Sequence, residues 1–86
     1  MITPEQCRAA RGLLDWSQQR LAEASQVGIV TIRQLEAGMI QPRRATLLVV
    51  RHALETAGVE FIDENGGGAG ARLRRPSRDR SQDRDA

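Results

Sequence analysis

At 86 residues the chain has room for one domain with a small core, since a chain of this size buries only about 60% of its unfolded surface. One Trp, one Phe and no Tyr are too few stacking platforms for single-stranded nucleic acid, and a single cysteine, Cys7, excludes an intramolecular disulfide and a cysteine-based zinc cage. The net charge of +2 is unevenly spread: residues 1–71 carry seven Arg against eight Asp or Glu (−1), and residues 72–86 six Arg against three Asp (+3), so a nucleic-acid contact of the globular part requires a local basic patch.

The chain opens with a helix-start signal. Thr3 suits the N-cap, Pro4 the first helical position, and Gln6 completes a capping box. Cys7, Ala10, Leu13 and Leu14 follow at helical spacing as the inner face. Ser17 caps a second helix, Gln18 to about Ser25, with Trp16 before the cap and Leu21 after it placed as a hydrophobic staple. Gln26-Val27-Gly28 interrupts the pattern after about two turns. A third helix runs from Ile29 to Ala37, with Ile32 and Leu35 inward and Gly38 as a left-handed stop. Met39 to Arg43, containing Pro42, is a loop. A fourth helix spans Arg44 to Ala57, turns Leu47, Val50, Ala53, Leu54 and Ala57 inward, and ends at Gly58.

Beyond Gly58 the periodicity changes. Val59–Ile62 and Ala71–Arg74 have strand character, and the residues between them, Asp63 to Gly70, have turn composition, which predicts a β-hairpin. From Pro76 no apolar residue appears before the final Ala86, so that tail lacks the means to order itself. The expected organisation is a helical domain over 1–58, a hairpin over 59–75 serving as a dimerisation element, and a polar tail over 76–86.

Two short helices joined by a tight turn make the core of a helix-turn-helix, whose second helix is free to enter a DNA major groove. The stretch SQQRLAEASQVGIVTIRQLEAGMIQP, within residues 4–58, resembles the phage-repressor (Cro and CI-like, or XRE) family. Ser17-Gln18, Leu21-Ala22, Ile32, Leu35-Glu36, Gly38 and Pro42 all fall in register with it. The resemblance implies a mainly α fold, a compact bundle of four or five helices, here extended by the small C-terminal hairpin. The sequence departs from the family pattern in three places. Gln26 stands where the family usually has Gly, Gly28 where it has a Ser or Thr cap, and Met39-Ile40 where basic residues are common.

The resemblance also implies roles. Gln18, at the first turn of the second helix, is the position that bonds a phosphate and braces the third. With Ile32 and Leu35 inward, the third helix turns Val30, Thr31, Arg33, Gln34 and Ala37 outward. Thr31 and Gln34 can read base edges, with Gln suited to adenine, and Arg33 can take guanine or phosphate. Val30 is either a thymine-methyl contact or ordinary surface. Ile29 sits where the family places a base contact, yet its helical angle also suits the core edge. Arg43 and Arg44 precede the fourth helix, where positive charge opposes the helix dipole, so a phosphate partner is expected. Arg11 and Glu36 match a family ion pair between the first and third helices.

No catalytic set competes with this reading. His52 is the lone His on a polar stretch, and Cys7 lies on an apolar face without an activating partner. The Gly66–Gly70 run lacks the Lys and helix of a phosphate loop. No cofactor or metal site is expected. The expected partners are double-stranded DNA and a second copy joined through the hairpin. The alternative is an antitoxin-like module whose main partner is another protein. An exposed apolar patch at Met39, Ile40, Leu48 and Val49 favours that alternative, and a basic face at Arg20, Arg33, Arg43 and Arg44 favours DNA. The absence of a signal peptide and of an apolar run near 18 residues suggests a soluble, cytoplasmic protein.

Overall fold

The computed structural model describes residues 1–74, so Arg75 and the expected tail over 76–86 lie outside the described residues. Four helices are followed by a hairpin: α1 Pro4–Leu14, α2 Gln18–Ser25, α3 Ile29–Ala37, α4 Arg44–Thr56, β1 Val59–Ile62 and β2 Gly70–Leu73. Local chemistry sets each boundary. Thr3 and Gln6 form the reciprocal capping box of α1, with Gln6 N–H donating to Thr3 Oγ1 at 3.0 Å and Thr3 N–H to Gln6 Oε1 at 2.9 Å. Ser17 Oγ accepts from Arg20 N–H at 3.0 Å and starts α2. The first three helices end on left-handed residues, Asp15 (φ 58°), Gln26 (φ 58°) and Gly38 (φ 70°). Gln26 is thus a side-chain-bearing residue held where glycine is favoured, at a cost of roughly 1 kcal/mol.

The helices enclose one core: Ile2, Cys7, Ala10, Leu21, Ala22, Ile32, Leu35, Leu47, Val50 and Leu54, joined by Val59 and Phe61 from β1. The expected inner face of α1 needs correction. Leu13 is 40% exposed and Leu14 half-buried, whereas Gln6 is buried. Positions 6, 7, 10 and 14 span the covered arc of the helix, and position 13 falls at its margin. Ala57 is also exposed, because α4 ends at Thr56 and Ala57 is its cap rather than a further inward turn. Ala53 is half-buried, while Ile2, ahead of the first cap, tucks into the core.

The hairpin is antiparallel, pairing Val59 with Leu73, Glu60 with Arg72, Phe61 with Ala71 and Ile62 with Gly70. The second strand begins one residue earlier than expected, at Gly70. Arg74 N–H still donates to the Gly58 carbonyl at 2.7 Å, which continues the ladder past the strand. Val59, Phe61, Ala71 and Leu73 pack against the helices. On the opposite face Arg72 Nε meets Glu60 Oε1 at 3.0 Å. Gln6 pins the sheet to α1: its Nε2 donates to the Ile62 carbonyl at 3.0 Å and the Gly70 carbonyl at 2.9 Å. An isolated two-stranded hairpin is marginal in water, and here its apolar face is closed by helices of its own chain.

Gln6 therefore joins the α1 cap to the hairpin. Gln6→Leu removes the cap acceptor and takes the Gln6 donor from the part-buried Ile62 and Gly70 carbonyls, so unfolding stability should fall by about 1–3 kcal/mol. An unchanged midpoint in urea unfolding would show that these bonds contribute nothing net.

Candidate nucleic-acid interface

α2, its turn and α3 form a compact corner. Ala22 and Ser25 of α2 and Ile32 and Leu35 of α3 are buried. Ala22 is small, which lets the helices approach, and Ser25 hides its hydroxyl by donating to the Leu21 carbonyl at 2.7 Å. In the turn, Val27 N–H donates to the Ala22 carbonyl at 3.1 Å, completing the stop that Gln26 begins. Gly28 caps α3 without any side-chain hydrogen bond, so the first amides of α3 have no side-chain acceptor.

The tilt of α3 is fixed by a buried carboxylate. Glu36 is 2% exposed. Arg11 grips it through both fork arms, Nε to Oε2 at 2.7 Å and Nη2 to Oε1 at 2.8 Å, and turns Nη1 to the Trp16 carbonyl at 2.9 Å. Gln18 Nε2 donates to Glu36 Oε1 at 3.1 Å, and the Cys7 thiol lies 3.3 Å from Oε2. Arg8 Nη1 donates to the Glu36 main-chain carbonyl. One acid on α3 thus gathers side chains from α1 and α2. The Arg11–Glu36 pair implied by the family resemblance is present, and Gln18 bonds the same carboxylate. Arg8 and the Cys7 thiol are additions that sequence reasoning missed. The available signal was spacing: Arg8 and Arg11 lie three apart and so share a helix side.

These contacts set the protonation states. Burial alone would raise the Glu36 pKa, but hydrogen bonds from Arg11, Gln18 and Cys7, together with the Arg11 charge, outweigh it and hold the carboxyl below its ordinary value. The hydrogen bond to Glu36 raises the pKa of Arg11. Burial first, and the adjacent carboxylate second, push the Cys7 thiol up to about 12. Cys7 therefore stays a neutral S–H donor and has no nucleophilic character.

The outer face of α3 carries Val30 (57% exposed), Arg33 and Ala37 in the open, with Thr31 and Gln34 half-buried beside them. Ile29 is partly buried and packs against the core. Arg43 is the N-cap of α4, with no side-chain cap bond, and both Arg43 and Arg44 are exposed. Among the described residues no ion pair involves Arg33, Arg43 or Arg44. Arg20 is also exposed but stacks over the Trp16 ring at 4.9 Å, and Trp16 itself is half-buried against the core. The apolar side chains of Met39, Ile40, Leu48 and Val49 are exposed as well. The described residues contain no cluster of metal-ligating side chains, and none of their helices is long and apolar enough to cross a membrane.

Because the folded pKa of Glu36 is depressed, its ionised form stabilises the fold above the unfolded carboxylate pKa of about 4.3. That contribution is lost as pH falls through the lower folded value. Glu36→Gln should flatten the acid limb of a stability-against-pH curve below about pH 4.3. Arg11→Ala, which strands the buried carboxylate, should cost about 3–5 kcal/mol at neutral pH. If wild type and Glu36→Gln lose stability in parallel on acidification, Glu36 is not the linked group.

A family model described as helix-turn-helix (HTH_3) matches residues 8–61, which run from within α1 to the third residue of β1. No curated protein matches the chain. The match covers more than half of the sequence and takes in the α2–turn–α3 corner, the Glu36 cluster and α4. The chain belongs to the HTH_3 family of Cro/CI-type, XRE helix-turn-helix proteins.

Proposed function

We propose that this chain is a transcriptional regulator that binds operator sequences in double-stranded DNA, with α3 as the reading helix in the major groove. One observation carries the reading. The only acid in α3 is Glu36, and it is turned inward and neutralised by Arg11, so the outward face of α3 presents no carboxylate to a phosphate backbone. On that face Gln34 and Thr31 offer hydrogen bonds to base edges, Arg33 a guanine or phosphate contact, and Val30 an apolar surface for a thymine methyl. Ile29, at the start of α3, lies close enough to the core to contribute shape more than readout.

Phosphate contacts flank the reading helix. Gln18 spends one amide N–H on Glu36 and retains the other for a phosphate, coupling backbone contact to helix orientation. Arg43 and Arg44 sit at the uncapped start of α4, where free amides and guanidinium groups together attract an anion. One short helix gives limited specific affinity, so the active species on a two-half-site operator is a homodimer.

Two substitutions separate these roles. Gln34→Ala should weaken cognate binding by about 1–3 kcal/mol and relax preference at one base position. Unchanged affinity and unchanged preference, measured against sequences selected from a random DNA pool, would remove Gln34 from the reading set. Arg43→Ala should weaken cognate and random DNA about equally and lower the slope of log affinity against log salt by roughly one unit. A slope that does not move would mean that Arg43 contacts no phosphate.

A further inference from the structure

Asn65 is the only asparagine of the chain, and Gly66 follows it. The pair lies in the hairpin loop over residues 63–69, every one of which is exposed. Gly66 has φ 100° and Gly68 φ 88°, conformations that glycine adopts without penalty. A side-chain carbon added at Gly66, Gly67 or Gly68 would meet nothing within 4 Å, so this part of the loop stands clear of its surroundings. Gly68 N–H donates to Glu64 Oε2 at 3.2 Å. Among the described residues neither the Asn65 side chain nor the Gly66 N–H has a hydrogen-bond partner. The base of the loop, by contrast, is fixed: Ile62 pairs with Gly70, and Gln6 holds the carbonyls of both.

These features leave Asn65 open to a reaction that regular secondary structure blocks. The carbonyl carbon of an asparagine side chain lies within ring-closing reach of the next main-chain nitrogen, and carrying both on one chain makes their encounter intramolecular. At Gly66 that nitrogen has no hydrogen bond to give up, and no Cβ shields its approach. Solvent base removes the Gly66 N–H proton. The nitrogen attacks Asn65 Cγ, the N–Cγ bond forms, the Cγ–Nδ2 bond breaks, and Nδ2 takes a proton from water and leaves as ammonia. Water then opens the succinimide. Cleavage of the new N–Cγ bond restores the main chain and gives aspartate. Cleavage between the nitrogen and the main-chain carbonyl carbon routes the chain through Cβ and Cγ and gives isoaspartate. In sum, water is consumed, ammonia is released and nothing is oxidised or reduced. Either product places a carboxylate, ionised at neutral pH, beside Asp63 and Glu64.

We propose that Asn65-Gly66 is a self-modification site, at which the chain loses ammonia through a succinimide and acquires aspartate or isoaspartate at the hairpin tip while its core stays folded. The reaction needs no DNA, so its outcome stands apart from the DNA reading. Full-length protein held at physiological pH and temperature should gain the mass of one amide-to-acid exchange, elute as a more acidic species on ion exchange and take up label from heavy-oxygen water. The tryptic peptide over residues 52–72 should split into two products of equal mass, one of which accepts a methyl group from a carboxyl methyltransferase specific for isoaspartate. Conversion should quicken as pH rises, because the attacking nitrogen must lose its proton, and the urea midpoint should stay that of the unconverted chain. Asn65→Gln, which would have to close a larger ring, should gain no mass in the same time. A wild-type mass that stays constant while a free peptide of residues 62–70 converts would overturn the proposal. So would a mass gain that persists in Asn65→Gln, aspartate formed without isoaspartate, or a lowered urea midpoint after conversion.

Discussion

The Glu36 carboxylate is the constraint on which the rest of the molecule depends. It is buried, and a buried charge is tolerable only when its lone pairs are filled. Arg11, Gln18 and Cys7 fill them, and these residues come from α1 and α2 while Glu36 belongs to α3. Three short helices that could slide on a purely apolar contact are thereby held in one arrangement. Any rotation of α3 about its axis would strand the carboxylate. Specificity of geometry, more than net stability, is what such a pair contributes.

The same contact decides the electrostatics of the exposed surface. Residues 1–71 have a formal charge of −1, which argues against a nucleic-acid partner when charge is considered in bulk. Withdrawing Glu36 into the ion pair changes the local picture, because α3 then presents Arg33 and uncharged side chains, with Arg43 and Arg44 exposed at the start of α4. The ends of α3 and α4 add to this. Neither helix has a side-chain cap at its N-terminus, so their first amides remain available to an acceptor.

The hairpin serves the fold more directly than its sequence suggests. A chain of 86 residues has little apolar material, and β1 supplies two core members, Val59 and Phe61. Gln6 then links the cap of α1 to carbonyls more than fifty residues away. The inner face of the hairpin thus helps to close the core of its own chain. Removing the strands would expose that core, so deleting the hairpin tests folding as much as assembly. Leu48 and Val49 on α4 stay exposed, as do Met39 and Ile40 in the loop before it.

Elements and caps were legible in the sequence because their causes are local. Thr3, Pro4 and Gln6 start α1, Ser17 starts α2 and Gly38 ends α3, each through bonds within a few residues. The periodicity of α3 likewise fixed which residues turn outward, since a helix of known phase has known faces. The family register placed Arg11 opposite Glu36. What required the tertiary structure was everything set by which element lies across which face. The exposure of Leu13, the burial of Gln6 and Ile2, the packing of Ile29 against the core, and the reach of Arg8 and Cys7 to Glu36 are of this kind. Helical phase says which side chains share a side, but the width of the covered arc and the partner on it follow from long-range packing, which no local pattern encodes.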